Sequence, residues 1–204
     1  MNPYFKAFLF FIPSILISST ESISEISLII QGEGELNILN NAFSYEPYEF
    51  LINGVSKPSC KKSCQFEGVL NNVTIKFENQ IDSCSKMFEG ITSIIEVDLS
   101  KFDASKVESM YNMFNGCSNM KKITFGNINT SSVKSMERLF NNCIKLETID
   151  RLDFDTLSVT TMSEMFSYCH SLKSINAEFN PQNVENMHNL FAHCINAVSI
   201  KVPT

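Results

Sequence analysis

The chain has 204 residues, of which 44% are hydrophobic and 19% charged, which is enough apolar material for one sizeable core and excludes a disordered segment. Its formal net charge of -6, with no clustered Lys/Arg run, excludes a nucleic-acid footprint and a basic membrane-binding patch.

In chain order, the first element is a targeting segment. Lys6 follows a short n-region, Ala7 to Ile17 is an apolar run broken only by Pro13 and Ser14, and Ser18, Ser19 and Thr20 are small residues suited to cleavage. Residues 1–20 are therefore predicted to be a signal peptide, which implies a secreted or cell-surface protein. An apolar run of about a dozen residues is too short to span a bilayer. No later stretch is longer, so no integral membrane segment is expected once the signal is removed.

Residues 21–80 carry the signals of a β-rich capping region. Ser27 to Ile30 and Tyr48 to Ile52 are β-prone, and Asn53-Gly54 is a tight-hairpin dipeptide because both residues tolerate positive φ. Leu70-x-x-Val73-x-Ile75 has the spacing of Met120-x-x-Ile123-x-Phe125, so a first rung is expected near 70–77. Cys60 and Cys64 fall in this region, and in an oxidising compartment a disulfide between them, or from either to Cys84, is expected.

Residues 81–204 repeat. Phe88, Phe114, Phe140, Phe166 and Phe191 are separated by 26, 26, 26 and 25 residues, a period typical of strand-plus-helix solenoids. Ile81, Val107, Val133, Val159 and Val184 begin the repeats, followed by a Cys84/Met110/Met136/Met162/Met187 column and a Met87/Met113/Leu139/Met165/Leu190 column beside the Phe column. Steps of three, three and four residues predict one face of a short helix, and Ser105-x-x-Glu108 reads as a capping box at one such start. The columns at Ile94 and Val97 then lead into a predicted strand in every repeat. The expected fold is α/β: a leucine-rich-repeat-like solenoid of five 25–26-residue repeats, with short parallel strands on one face and short helices on the other. Such stacking buries what no single rung buries alone.

The quoted run, Val-x-x-Met-x-x-Met followed by Phe-x-x-Cys-x-x-Leu-x-x-Ile, resembles the BspA-like leucine-rich repeat proteins and the related surface-protein repeats of mycoplasmas and protists. The resemblance covers Ile81 to Thr204. It implies a secreted or surface-displayed protein, with some members described as adhesins for host or matrix proteins, and it carries no catalytic residues. The chain departs from the pattern at Ile91 in the Cys column, at Ala197 in the Leu column and in its 25-residue fourth repeat.

Cys117, Cys143, Cys169 and Cys194 share one column. Disulfides between neighbouring rungs compete with a packing role, and packing is the adopted reading because Ile91 fills the same column. His170, His188 and His193 occupy three different repeat positions, which argues against a metal cluster with Cys194. No phosphate loop or nucleophile elbow is present in the sequence, and neither enzymatic activity nor a cofactor is expected.

The candidate binding face is the strand side, with Glu96, Asp98, Lys121, Lys122, Thr124, Glu147, Asp150, Lys173 and Asn176 exposed on it. Signs alternate between rungs, which disfavours a highly charged partner. Asn72-Val-Thr and Asn129-Thr-Ser are N-glycosylation sequons. These features point to a non-catalytic adhesion or interaction module for a protein or glycan at an extracellular surface. The alternative is a coat or matrix component that self-associates through its last rung, where Ile200 to Thr204 bring no polar capping segment.

Overall fold

The computed structural model describes residues 23–149, 152–176 and 180–201. The predicted signal segment and Asp150 lie outside the described residues. Six strands form the cap: β1 (Ser24–Gln31), β2 (Gly34–Asn37), β3 (Glu49–Ile52), β4 (Val55–Ser56), β5 (Ser63–Phe66) and β6 (Leu70–Phe77). One strand per repeat follows: β7 (Ile94–Asp98), β8 (Lys122–Thr124), β9 (Thr148–Ile149), β10 (Ser174–Asn176) and β11 (Ser199–Lys201).

Alternation builds the cap. Ile26, Leu28 and Ile30 of β1 and Val73, Ile75 and Phe77 of β6 point into the core, while the intervening residues face outward. Asn53 and Gly54 join β3 to β4 with φ of 51° and 80°, the pair of left-handed residues that a two-residue hairpin with native twist requires. The strands assemble into a seven-stranded mixed sheet in the order β4-β3-β6-β1-β7-β8-β9. Every pairing up to β1–β7 is antiparallel, and β7–β8 and β8–β9 are parallel. The strands β10 and β11 form a further parallel pair.

Two expectations are corrected here. Leu70–Phe77 does not stack as a first rung: it runs antiparallel between β1 and β3, and β1 is the strand laid against β7. The rungs also contain no helices, and none occurs among the described residues, so the α/β solenoid gives way to a mostly β structure.

The backbone hydrogen bonds explain the missing helix. In the first repeat the N–H groups of Cys84, Lys86, Phe88 and Gly90 donate to the carbonyls of Ser109, Tyr111, Met113 and Asn115 in the next repeat, at 2.8 to 2.9 Å. The intervening N–H groups of Met87, Glu89 and Ile91 close local turns onto Cys84, Lys86 and Phe88. No register is left for the i to i−4 bonds of a helix. Left-handed residues recur at Lys86, Asn112, Arg138, Glu164 and Asn189, and four residues later at Gly90, Gly116, Asn142, Tyr168 and His193, all with φ between 56° and 76°. Each reverses the backbone twist before a helical turn can propagate. Linked three-residue turns return side chains to one face at the same steps as a helix, so Met110, Met113, Phe114 and Cys117 are buried even though the segment is not helical. Ser105 is not an N-cap. Its own N–H donates to Asp103 Oδ1 in a turn.

The core is ordered along the stack. Phe88, Phe114, Phe140, Phe166 and Phe191 stack with centroids 5.3, 5.6, 5.4 and 5.4 Å apart. Beside them the thiols of Cys117, Cys143, Cys169 and Cys194 each donate, at 3.1 Å, to the carbonyl of the Phe one rung earlier: Phe88, Phe114, Phe140 and Phe166. The column therefore selects a small apolar side chain that also carries a donor. Ile91 stands in the first repeat, where no earlier Phe of the stack offers a carbonyl. Burial holds the thiols protonated, raising Cys117 to about 12 and Cys143 well above the ordinary thiol value.

The cap terminates this ladder. Asn40 donates its backbone N–H to Met87 O at 2.9 Å and its side-chain amide to Glu89 O at 2.7 Å, taking the place of a preceding rung. Between rungs, Gly126 (φ 62°) passes so close to Ser100 that a Cβ would lie 2.8 Å from its Cα.

Candidate functional site

The outward residues of the mixed sheet fall into rows that cross from cap to repeats. Register aligns Asn72, Ile29, Glu96, Lys122 and Thr148 in one row, and Thr74, Ser27, Asp98 and Thr124 in the next. Because one face of every strand is committed to the core, these opposite positions are where the sequence is free of packing. A third row is ionic: Glu49 and Lys76 pair at 3.0 Å, with Glu25 beside Lys76 and reaching Lys101 at 3.5 Å. The hydrogen bond to Lys76 lowers the Glu49 carboxyl below its usual range, and the same bond raises Lys76.

A shallow groove of about 320 Å³ opens over β1, lined by Ser27, Ile29, Asn72, Thr74, Glu96, Asp98, Lys122 and Thr124. Its floor is Ile29 and its walls are carboxylate, ammonium, hydroxyl and carboxamide groups. Asp98 is fixed by accepting the N–H of Ser100 at 2.8 Å. Such an array offers hydrogen-bond donors and acceptors to a polar ligand.

Of the sequence-derived face, Glu96, Asp98, Lys122 and Thr124 meet in this groove. Lys121, Glu147 and Lys173 form a border column instead, where Lys173 pairs with Glu147 at 2.9 Å and depresses its carboxyl. Asn176 lies in β10, and Asp150 is outside the described residues. Cys60 and Cys64 are disulfide-bonded with Cα atoms 5.0 Å apart, and Cys84 is a free buried thiol. Asn72 is exposed inside the groove. Asn129 is exposed in a loop, where its Oδ1 accepts from Ser131 N and Ser131 Oγ at 3.0 and 2.8 Å.

Sequence reasoning missed the cap's share of the groove, namely Ser27, Ile29, Asn72 and Thr74. The alternation along Ser24–Gln31 was the available signal, but it does not reveal that β1 lies beside β7. It also missed that two of the scattered histidines converge. Tyr168 stacks on His193 with centroids 4.3 Å apart and has His170 edge-on at 6.0 Å.

A capped stack of strand-and-turn rungs with an open polar sheet face defines a repeat protein. The chain belongs to the family described as "Mycoplasma protein of unknown function, DUF285", whose model matches residues 82–201, more than half its length. No curated protein and no solved structure matches the chain.

Proposed function

We propose that the chain is a non-catalytic interaction module, secreted or displayed at a cell surface, whose outer sheet face engages a protein or glycan. The observation that carries this reading is the groove, built jointly by cap and repeats from side chains that the core pattern does not dictate. The sequence resemblance to BspA-like leucine-rich repeat adhesins and the signal-like residues 1–20 support the same reading. The test is binding of the full chain to a glycan array and to a panel of purified extracellular-matrix proteins. Glu96→Lys and Lys122→Glu should abolish any saturable signal while moving the melting temperature by no more than a few degrees. Binding that survives both changes, or that is lost equally with Lys134→Glu on the turn side, places function elsewhere.

A further inference from the structure

We propose that the Cys60–Cys64 disulfide is a redox-sensitive latch on the capped end of the ladder. Oxidised, it holds the segment 38–43 against the first rung; reduced by a dithiol, it lets that segment loosen. The ground is a chain of contacts centred on Lys62. Cys60 and Cys64 close a five-residue loop, and Lys62 is its middle residue. The Lys62 carbonyl accepts the N–H groups of Ile38 and Leu39 at 2.7 and 3.0 Å. Its ammonium donates to the carbonyls of Asn41 and Phe43 at 2.9 and 2.6 Å. One residue thus makes four hydrogen bonds to the segment 38–43, and the disulfide fixes the backbone that presents it.

That segment is the ladder's terminator. Asn40 stands within it, and its N–H and side-chain amide occupy Met87 O and Glu89 O of the first rung. The Phe43 N–H closes a turn onto Asn40 O at 3.0 Å. Ile38, Leu39 and Phe43 are buried on either side of Asn40. These apolar anchors keep the segment on the molecule in either redox state, so the latch governs the alignment of the polar run between them. The stabilisation a disulfide gives to a whole chain grows with the loop it closes, and this loop is short. Its effect is therefore local and passes through Lys62.

The bond is placed for exchange. Two clefts, of about 410 and 590 Å³, open beside it; Cys60 and Lys61 line both, and Cys64 lines the smaller. The Lys61 ammonium borders the path of an incoming thiolate, while the carboxylate of the smaller cleft, Glu35, is engaged by the Ser63 hydroxyl. Cys84, Cys117, Cys143 and Cys169 are free thiols buried in the core, so the exchange partner comes from outside. A thiolate of the dithiol attacks one sulfur and displaces the other, and the second thiol of the dithiol, deprotonated, then resolves the mixed disulfide. Two electrons and two protons pass from the dithiol, which becomes a cyclic disulfide, to Cys60 and Cys64, which become thiols.

Hydrogen exchange on the full chain with and without dithiothreitol tests the proposal, with alkylation of the native protein reporting the thiols formed. Only Cys60 and Cys64 should become newly alkylated. The amides of Ile38, Leu39 and Asn40 should exchange about tenfold faster, the usual effect of a lost hydrogen bond, and return to their starting rates on reoxidation. Asn142, whose N–H donates to Ser167 O in the following rung at 2.9 Å, should be unchanged. Lys62→Met, with the disulfide intact, should also speed exchange at Asn40, since it removes both ammonium bonds and keeps the apolar stem. A disulfide that resists dithiothreitol in the native chain overturns the proposal, as does reduction that leaves the three amides unchanged. Acceleration that reaches Asn142 equally overturns it too, because the bond would then serve the whole fold. A Lys62→Met chain with wild-type exchange at Asn40 removes Lys62 from the relay and overturns it as well.

Discussion

The cap and the repeat array bury their apolar residues by opposite means. In the cap, antiparallel strands of unequal length form pairings that do not repeat, and a disulfide ties Cys60 to Cys64. In the array one contact set is reused every 25 or 26 residues: a strand bridge, four turn-to-turn bonds, a ring on a ring and a thiol on a carbonyl. The array is therefore bound rung to rung, so local damage should stay local. The cap is a terminator whose value lies in meeting the first rung's carbonyls, and damage there should be felt mainly at rung one.

The strongest way to break this contrast is Phe140→Ala. The ring lies between Phe114 and Phe166 with Phe125 edge-on at 6.1 Å, so the change should cost about 3–5 kcal/mol. Hydrogen exchange should show the rungs around it opening while the β2–β5 pair keeps its protection. Equal loss in both regions would mean that array and cap are one cooperative unit.

Gly126→Ala comes next, since it adds a Cβ 2.8 Å from Ser100 Cα at a left-handed φ. A loss above about 1 kcal/mol in urea unfolding is expected. Asn40→Ala should cost about 1 kcal/mol by leaving Glu89 O without its side-chain donor. Faster exchange should then be confined to the first rung, and its spread to the fourth would contradict nearest-neighbour behaviour.

The thiol column gives a pH signature that the cap lacks. Its folded values are raised, so the stabilisation is complete below the unfolded thiol value of about 9 and is lost as pH rises toward about 12, the value for Cys117. Melting temperature should fall across that window more steeply than in Cys117→Ala, and native-state alkylation should reach half-buried Cys194 before Cys117, Cys143 and Cys169. The smallest effect is expected at Lys173→Ala. Its pair with Glu147 has side chains 66% and 46% exposed, so its loss should move the melting temperature little, and less still at high salt.

The 26-residue period made the rung length and the inward columns legible, because burial repeats whatever the backbone does between columns. The backbone itself was not. Cys84, Met87, Phe88 and Ile91 are spaced as on a helix, and successive three-residue turns produce the same spacing. The discriminating signal was the pair of left-handed columns four residues apart. It is visible at Gly90, Gly116, Asn112, Asn142 and Asn189, but Lys86, Arg138, Glu164 and Tyr168 obscure it by occupying the same conformation without the usual residue types. The groove was half legible for a different reason. Strand register within the array follows from the repeat, whereas placing β1 between β6 and β7 is a long-range pairing with no local mark.

The question between ladder and helix is decided by the partner of one amide. In the ladder, Phe114 N–H donates to Leu139 O in the next rung at 3.0 Å. A through-hydrogen-bond scalar coupling between Phe114 N and Leu139 C′, measured by NMR on labelled protein, is the expected result. A coupling from Phe114 N to Met110 C′, four residues back, would restore the helix and contradict the ladder.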